Sequence, residues 1–421
     1  MNSAHGHPSG GDCDVFVVGA GLAGLRCASV LAERGRSVAV WESGERVGGR
    51  VRTDDVDGFR CDRGFQVLNP AYPELKRAVD VEALKLQSFD PGVAIRRADD
   101  AITWVHPLRA PGGVPQMLTR GGLRPRDLVS LARWAAPALR PAALKSTRHD
   151  KPLAEALNRA GVDGLPRRVV DRFLSGVVLD DRGSTSNAFA LLLARMFALG
   201  VPGLPAGGMT ALPELLAAPI ADRIHLHRKV TGIARDGQGW VVTDGRDTLR
   251  AHHVVIATDP RTAAELTGTA APATKGVVTD WWAADTVPDG PPMIWVDGRA
   301  KMAGPVVNTS IISKAAPSYA PAGRHLVAAS ALLGTDRNPP TESETRAHAA
   351  EILGADAAGW SLLVRHVIPD ALPAQPPPLH TRRPVHTPDG LWVCGDHRDT
   401  ASIQGALVSG RRVAEAVLHL P

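Results

Sequence analysis

The feature that most constrains this chain is a glycine-spaced turn near its N-terminus. Residues 15–18 form a short apolar run of buried-strand length, and Gly19, Gly21 and Gly24 follow it in G-x-G-x-x-G spacing. In this spacing the first glycine allows a tight turn, the second lets a phosphate approach the backbone, and the third lets helix and strand pack closely. Apolar residues then recur at helical spacing until Gly35. We therefore predict a buried strand, a tight turn and a helix.

A carboxylate follows the second predicted strand of this strand–turn–helix unit. A second apolar run, residues 38–41, ends at Glu42, 18 residues after Gly24. A carboxylate about 20 residues beyond the glycines can bind a ribose hydroxyl, and the free amides at the helix start attract a pyrophosphate. The unit predicts a dinucleotide site that also includes Leu22, Ala23 and Ser43.

Three further motifs narrow the family. Gly48-Gly49-Arg50 with Thr53 follows the second strand, residues 62–66 read DRGFQ, and residues 391–410 read LWVCGDHRDTASIQGALVSG. With the N-terminal unit, these motifs resemble the superfamily of flavin amine oxidases, phytoene desaturases and protoporphyrinogen oxidases. The resemblance extends over nearly the whole chain but is thin between about residues 90 and 220. It implies non-covalent FAD as the cofactor.

The resemblance also implies how the cofactor is held. Arg50 would contact the pyrophosphate and Asp396 the ribityl chain. The backbone at Val230, within a strand over residues 227–233, would contact the adenine. The remaining implied contacts are Gly48 and Gly49 along the cofactor, Gly64, Phe65 and Gln66 beside the flavin ring, Gly395 next to Asp396, and Ser402, Ile403 and Gln404 at the pyrimidine edge.

The same motifs divide the chain. We expect an α/β fold in which a Rossmann-like, discontinuous FAD-binding domain of the GR2 type is combined with a mixed α+β substrate domain. The FAD-binding domain would comprise residues 12–90, 208–270 and 385–421, and the substrate domain residues 91–207 and 271–384. The first insert is predicted to be mainly helical, with helical spacing of apolar residues over 127–144, and the second richer in strands. Residues 1–11 are predicted to be a disordered tail.

The spacing of the cysteines and the length of the apolar runs indicate the cellular compartment of the protein. Cys13, Cys27, Cys61 and Cys394 show no C-x-x-C spacing, which favours small buried hydrophobes in a reducing cytoplasm. No apolar run approaches the 18 residues of a spanning helix. No group of Cys, His and carboxylate residues has metal-ligand spacing, so no metal site is predicted.

Charge is distributed unevenly. The formal balance is +5, but residues 96–172 hold 15 Lys and Arg against 7 Asp and Glu. This stretch is open to three interpretations: a solvated arginine-rich face, peripheral contact with an anionic membrane, or steering of an anionic substrate. Aromatic residues make up only 4% of the chain, and no base-reading module is present, so nucleic acid is not an expected partner.

Candidate catalytic residues are fewer. Lys275 precedes an apolar run at about the place of the flavin-facing lysine of amine oxidases, and it is either a base or water ligand there or an ordinary exposed lysine. His397 follows Asp396, and it is either a proton donor or substrate contact or a loop histidine bonded to backbone. His366 and His380 are weaker candidates. Ser402 stands where an amine oxidase has a tyrosine, and residues 364–375 contain no aromatic partner.

These observations predict an enzyme that oxidises or desaturates an apolar or partly apolar small molecule by hydride transfer to flavin. Oxygen, a quinone or another acceptor would take the electrons. One alternative is a true flavin amine oxidase. The other is a flavin-dependent isomerase or a non-catalytic flavin-binding scaffold.

Overall fold

The computed structural model describes residues 13–139, 149–334 and 336–420. The predicted tail, residues 1–11, lies outside the described residues. The strands are β1 Cys13–Val18, β2 Val38–Trp41, β3 Thr53–Val56, β4 Phe59–Asp62, β5 Gln87–Ser88, β6 Gly92–Arg96, β7 Ala101–Val105, β8 Gly203–Leu204, β9 Ile224–His225, β10 Gly232–Asp236, β11 Gly239–Thr243, β12 Thr248–Ile256, β13 Thr274–Ala284, β14 Ile294–Asp297, β15 Val306–Ile311, β16 His325–Leu333, β17 Ser361–Pro373 and β18 Trp392–Val393.

The helices lie between these strands. The α-helices are α1 Leu22–Glu33, α2 Pro73–Ala78, α3 Val114–Arg120, α4 Pro125–Ala135, α5 Leu153–Ala160, α6 Gly164–Val178, α7 Asn187–Leu199, α8 Ala211–Ala217, α9 Pro260–Thr267, α10 Ile312–Ala315, α11 Glu342–Leu353 and α12 Ile403–Leu418. Short 3₁₀ helices occur at Glu82–Leu84, Pro111–Gly113, Ala136–Leu139, Ala218–Arg223, Pro317–Tyr319 and Asp396–Arg398.

The first sheet carries the glycine-rich turn. Its order is β10-β11-β12-β1-β2-β9, with β18 also paired to β12. Strands β12, β1, β2 and β9 are parallel neighbours, and β18 runs parallel to β12. Because successive side chains of a strand point to opposite faces, Val15 and Val17 join the core under α1 and α12, whereas Phe16 and Val18 join the core under β10 and β11. The predicted Rossmann-like sheet is confirmed.

The second sheet is mixed. Its order is β17-β13-β16-β15-β14-β6-β7, and only β14 and β6 among these neighbours run parallel. Helices α6 and α11 pack against it. The strands of the first sheet come from residues 12–90, 208–270 and 385–421, and those of the second from residues 91–207 and 271–384. The domain boundaries themselves stay a prediction.

Three element boundaries differ from the sequence-based expectations. The predicted strand at residues 227–233 begins only at Gly232, because His227 is left-handed (φ 57°) and bonds to the loop after β2 through the Gly44 carbonyl. Strand β13 already includes Lys275, which pairs with Leu372 of β17. Helix α4 ends at Ala135, before Pro137, whereas the pattern extended over residues 127–144, part of which lies outside the described residues.

Other predictions concerned burial and membranes. All four cysteines are buried, as expected for small core residues. Within the described ranges, no helix is both long and apolar enough to cross a membrane. Those ranges also contain no group of His, Cys, Asp and Glu side chains able to hold a metal ion.

Candidate active site

A cavity of about 960 Å³ receives residues from both sheets. It brings together seventeen of the nineteen residues predicted to contact a cofactor, although these residues are scattered over almost the full length of the chain. They are Gly19, Gly21, Leu22, Ala23, Glu42, Ser43, Gly48, Gly49, Arg50, Gly64, Phe65, Gln66, Val230, Gly395, Asp396, Ser402 and Ile403.

The glycine-rich turn forms one end of the cavity. Gly19 has φ 102°, and a Cβ there would lie 3.0 Å from the Ala257 carbonyl oxygen. A Cβ on Gly24 would lie 2.1 Å from the Gly19 oxygen, so α1 packs on the turn too closely for any side chain. At Gly21, by contrast, a Cβ would meet nothing within 4 Å. Gly21 therefore faces the open space at the start of α1, where backbone amides and the helix dipole favour an anion.

Glu42 connects the loops around this end. Its Oε2 accepts a hydrogen bond from the Ala20 amide at 2.9 Å, and its Oε1 accepts one from the Gly44 amide at 2.8 Å. The residue is only 8% exposed, and it lines the cavity. Next to it, the Arg228 guanidinium stacks 4.2 Å from the Trp41 ring centroid. These contacts hold the carboxylate at the carboxyl end of β2, where a ribose would lie.

An ion pair stands midway along the cavity. Arg50 Nη2 donates to Asp396 Oδ1 at 2.6 Å, and Nη1 donates to the Ala371 carbonyl at 2.7 Å. Burial by itself lowers the pKa of Arg50, but the Asp396 carboxylate outweighs it and leaves that pKa raised. The Gln66 amide donates to the carbonyls of Arg50 and Arg63, both at 2.9 Å. The arginine therefore stays charged, beside the backbone turn that follows Gly49.

The far end of the cavity is an apolar chamber. Helices α6 and α7 present Phe173, Val177, Phe189, Leu193 and Phe197 to it, and Phe173 meets Phe197 edge-on at 5.4 Å between ring centroids. Aliphatic side chains of β13, β14 and β17 complete the wall, namely Val277, Ile294, Val364, Val367 and Ile368. Such a surface binds apolar groups by excluding water.

A small polar group interrupts the chamber wall. His366 Nε2 donates to Asp54 Oδ2 at 2.9 Å, and Arg63 forms a bidentate pair with the same carboxylate at 2.9 Å. His366 Nδ1 is buried without a hydrogen bond to any described residue. Burial is the largest cause of the lowered pKa of His366, and the hydrogen bond and charge of Asp54 oppose it. The imidazole is therefore neutral near pH 7, oriented by a carboxylate.

Four predicted site residues lie outside this cavity. Lys275 points to Asp180, with 3.5 Å between Nζ and Oδ1. His397 is 4% exposed and lines a separate, smaller cavity. Gly24 is covered by Gly19 and Ala257, as described above. The Gln404 side chain turns to α2, where its Oε1 accepts a hydrogen bond from the Glu74 amide at 3.0 Å.

Sequence reasoning missed part of the site. Asp54 and Arg63 are not predicted as site residues, although Asp54 directly follows Thr53 and Arg63 lies within the DRGFQ motif. Asn308 also lines the chamber, with its Oδ1 buried and unpaired among the described residues, and Ser330 lies in the same wall. Asn308 and Ser330 carry no local signal, because only the packing of β15 and β16 brings them to the cavity.

Two curated proteins share sequence with this chain. Putrescine oxidase of Kocuria rosea is 28% identical over 280 residues, which are 59% of this chain and 57% of that protein. Chloroplastic protoporphyrinogen oxidase of Nicotiana tabacum is 25% identical over 410 residues, which cover 82% of this chain and 71% of that protein. The chain thus matches little more than half the length of putrescine oxidase.

Solved structures show the same fold. An oxidoreductase from Methanosarcina mazei matches 96% of this chain and 100% of its own, with a TM-score of 0.75 at 18% identity. Wild-type putrescine oxidase bound to putrescine matches 97% of this chain and 99% of its own, with a TM-score of 0.68, also at 18% identity. This architecture confirms the predicted fold class.

The family model for flavin-containing amine oxidoreductases matches residues 22–418. That range includes the turn at Gly48 and Gly49, the Arg50–Asp396 pair and most of the chamber. The match confirms the resemblance drawn from the motifs and the prediction that the cofactor is a flavin, FAD. The chain belongs to the family of flavin-containing amine oxidoreductases.

Proposed function

We propose that the protein is an FAD-dependent oxidoreductase that oxidises or desaturates an apolar or partly apolar small molecule. The observation that carries the proposal is a single cavity that combines a dinucleotide-type turn with an apolar chamber. The substrate would bind in the chamber, and oxygen, a quinone or another acceptor would take the electrons. FAD would be bound without a covalent link, and when bound it supplies the group that accepts a hydride equivalent.

The chain's own residues would bind FAD, orient the substrate and keep water away from it. Gly21 and the start of α1 would receive the pyrophosphate, Glu42 the ribose, and Asp396 the ribityl chain. The phenylalanines of α6 and α7 would exclude water from the reacting carbon, which strengthens electrostatic interactions inside the chamber.

The carboxylates of the cavity argue against an amine substrate. Glu42 accepts backbone amides, Asp54 pairs with Arg63, Asp259 caps α9 and Asp396 pairs with Arg50. Among the described lining residues, no carboxylate is left without such a partner to neutralise a substrate ammonium. Ser402 lines the cavity at the position where amine oxidases carry a tyrosine. A neutral substrate therefore fits the chamber better.

His366 is the side chain best suited to handle a proton there. Its ring is neutral, Asp54 orients it through Nε2, and Nδ1 has no partner among the described residues. Nδ1 is closed off from the chamber in this structure, so the side chain would have to turn before Nδ1 could accept the proton that a substrate C–H or O–H group gives up while hydride leaves the neighbouring carbon. The chamber also favours an enzyme over the scaffold alternative, because no side chain of the described residues fills it.

The proposal is tested by the absorbance spectrum of the purified protein under anaerobic conditions. Separate additions of amines, polyenes and porphyrinogens should bleach the flavin band only with an apolar class. Bleaching by amines alone would replace the proposal with the amine oxidase alternative. A protein that bleaches with no class and instead interconverts substrate isomers would support the isomerase alternative.

His366→Gln tests the proton acceptor. We expect flavin reduction by the substrate to slow by about 10²-fold, the lower range of general-base effects, with retained flavin unchanged. His380→Gln is the matched control, because His380 is exposed and lies outside the cavity. Equal reduction rates in both variants would remove His366 from the mechanism.

We also propose that the basic stretch, residues 96–172, contacts an anionic lipid surface. Large apolar side chains are exposed within it, including Leu108 at 88%, Val129 at 68% and Leu139 at 74%. Arg109, Arg120 and Arg133 are exposed without an ion pair to any described residue. Exposed apolar groups beside unpaired arginines complement an anionic interface.

Sedimentation with liposomes tests this contact. Vesicles containing phosphatidylserine should bind the protein at low salt and release it at high salt, whereas neutral vesicles should not bind. Val129→Ser should weaken binding, while Leu199→Ser, an exposed leucine outside the stretch, should not. Equal binding by both variants, or no binding at low salt, would overturn the contact.

A further inference from the structure

A second cavity, of about 230 Å³, lies beside α9. Its apolar wall consists of Pro260, Ala263 and Ala264 of α9 with Ala270, Ala271 and Pro272 of the following segment. Its polar wall consists of Arg383, His397 and Arg398. It shares no lining residue with the large cavity.

The two arginines are half-buried and lack side-chain partners among the described residues. The Nε atoms of Arg383 and Arg398 are buried without a hydrogen bond, and neither guanidinium forms an ion pair with a described carboxylate. Arg412, close to both, shows the usual arrangement, since it pairs with Asp399. Burial and the charge of Arg383 both lower the pKa of Arg398. Two like charges without a counter-ion are unfavourable unless an anion joins them.

His397 adds a second, independent sign of a ligand. The side chain is 4% exposed, yet neither ring nitrogen has a hydrogen-bond partner among the described residues. Buried polar groups are nearly always satisfied, so an unpaired ring at a cavity wall is unusual. Both ring nitrogens are closed off from the cavity in this structure, and a ligand there would reach them only after the ring turns. Burial lowers the pKa of His397 to about 4, with the nearby arginines adding to the effect and Asp396 opposing it. The neutral ring offers one N–H donor and one acceptor.

We propose that this cavity binds a small organic anion through its carboxylate. Arg383 and Arg398 would hold the carboxylate oxygens, and the alanine and proline side chains would cover a short apolar body. His397 would donate an N–H once its ring had turned toward the cavity. Guanidinium groups match carboxylates in shape and charge, which favours this headgroup. The volume is below the 300–1,000 Å³ typical of larger ligands, so the anion is small.

The site is close enough to the cofactor cavity to report on it. His397 directly follows Asp396, whose carboxylate pairs with Arg50 in the large cavity. The Arg50 guanidinium is also near enough to His397 to lower the pKa of its imidazole. Binding of an anion should therefore alter the flavin absorbance spectrum slightly, in addition to stabilising the protein.

The experiment uses the FAD-loaded protein and butyrate as the probe. Calorimetric titration and thermal unfolding are measured at constant ionic strength, with chloride replaced by butyrate or by inorganic phosphate. We expect saturable butyrate binding, a rise in melting temperature and a small flavin difference spectrum. Arg398→Gln and Arg383→Gln should each weaken binding at least tenfold. Arg382→Gln, the exposed neighbour outside the cavity, should bind as the wild type does.

Each other outcome counts against the site. Wild-type affinity for butyrate in Arg398→Gln would place the binding elsewhere. The absence of any butyrate effect on the folded wild type would overturn the proposal, and binding of phosphate but not of butyrate would overturn its ligand class. If Arg398→Gln does not fold, Arg398→Lys keeps the charge without the planar fork and should still weaken binding.

Discussion

At the scale of single residues, the site depends on buried polar groups whose charge is set by their surroundings. Asp62, at the end of β4, is fully buried, and Thr53, the Met209 amide and the Tyr319 hydroxyl donate to its carboxylate. Burial outweighs these three donors and raises the pKa of Asp62 to about 7. This carboxyl joins the β3–β4 hairpin to the start of α8 and to the 3₁₀ turn at Pro317–Tyr319.

The raised pKa of Asp62 predicts a pH dependence of stability. Between the ordinary pKa of an unfolded aspartate and about 7, the folded state binds more protons than the unfolded state, so its stability falls as pH rises through this window. A shift of about three pKa units corresponds to at most ~4 kcal/mol. Urea unfolding of wild type and Asp62→Asn is measured from pH 4 to 8. The free energy of unfolding of the wild type, relative to that of Asp62→Asn, should fall as the pH rises. A difference independent of pH would contradict the prediction.

At the scale of elements, the turn between β1 and α1 is shaped by backbone contacts rather than by side chains. The first glycine turns the chain at positive φ, and the third allows α1 to approach the Gly19 carbonyl. The second, Gly21, caps the start of the helix, and a Cβ there would meet nothing within 4 Å. The three glycines therefore serve different purposes, and substitutions at them should fail in different ways.

Gly24→Ala and Gly21→Ala form a matched pair. Gly24→Ala places a methyl group 2.1 Å from backbone, and we expect it to lower the free energy of unfolding of the FAD-free protein by about 1–3 kcal/mol. Gly21→Ala should leave that free energy unchanged but reduce FAD retention, because its methyl group occupies the pyrophosphate space. Denaturant unfolding and bound flavin per chain measure the two effects. The reverse pattern would show that the roles have been assigned wrongly.

At the scale of the whole molecule, the large cavity lies where the two sheets meet. Its walls come from β1 and β2 in one sheet, from β13 and β17 in the other, and from helices α6 and α7. A ligand held by both sheets stabilises their arrangement, because it binds the folded state and not the unfolded chain.

Removal of FAD should therefore lower the melting temperature of the protein. At FAD concentrations 100 times the dissociation constant, the bound cofactor contributes about 2.7 kcal/mol, which is worth several degrees in a chain of this size. Differential scanning calorimetry of the stripped and reconstituted protein measures the change. In Gly21→Ala the difference should shrink as retention falls, whereas identical melting of stripped and loaded wild type would contradict a site between the sheets.

Sequence by itself determined the parts of this protein that depend on short-range sterics. The glycine turn, helix α1, strand β2 and the position of Glu42 follow from contiguous spacing, because a turn at positive φ and a helix packed on backbone admit few residues. The family resemblance then added Arg50 and Asp396, which form an ion pair across 346 positions of the chain.

Only the tertiary structure decided which side chains surround the apolar chamber. Lys275 and His397 were chosen by their distance from motifs along the chain, yet one turns to Asp180 and the other lines a different cavity. His366 meets Asp54 across 312 positions, and Phe173 and Phe197 reach the chamber from separate helices. Side-chain direction at such places is set by packing between distant elements, and packing of that kind leaves no periodic pattern in the sequence.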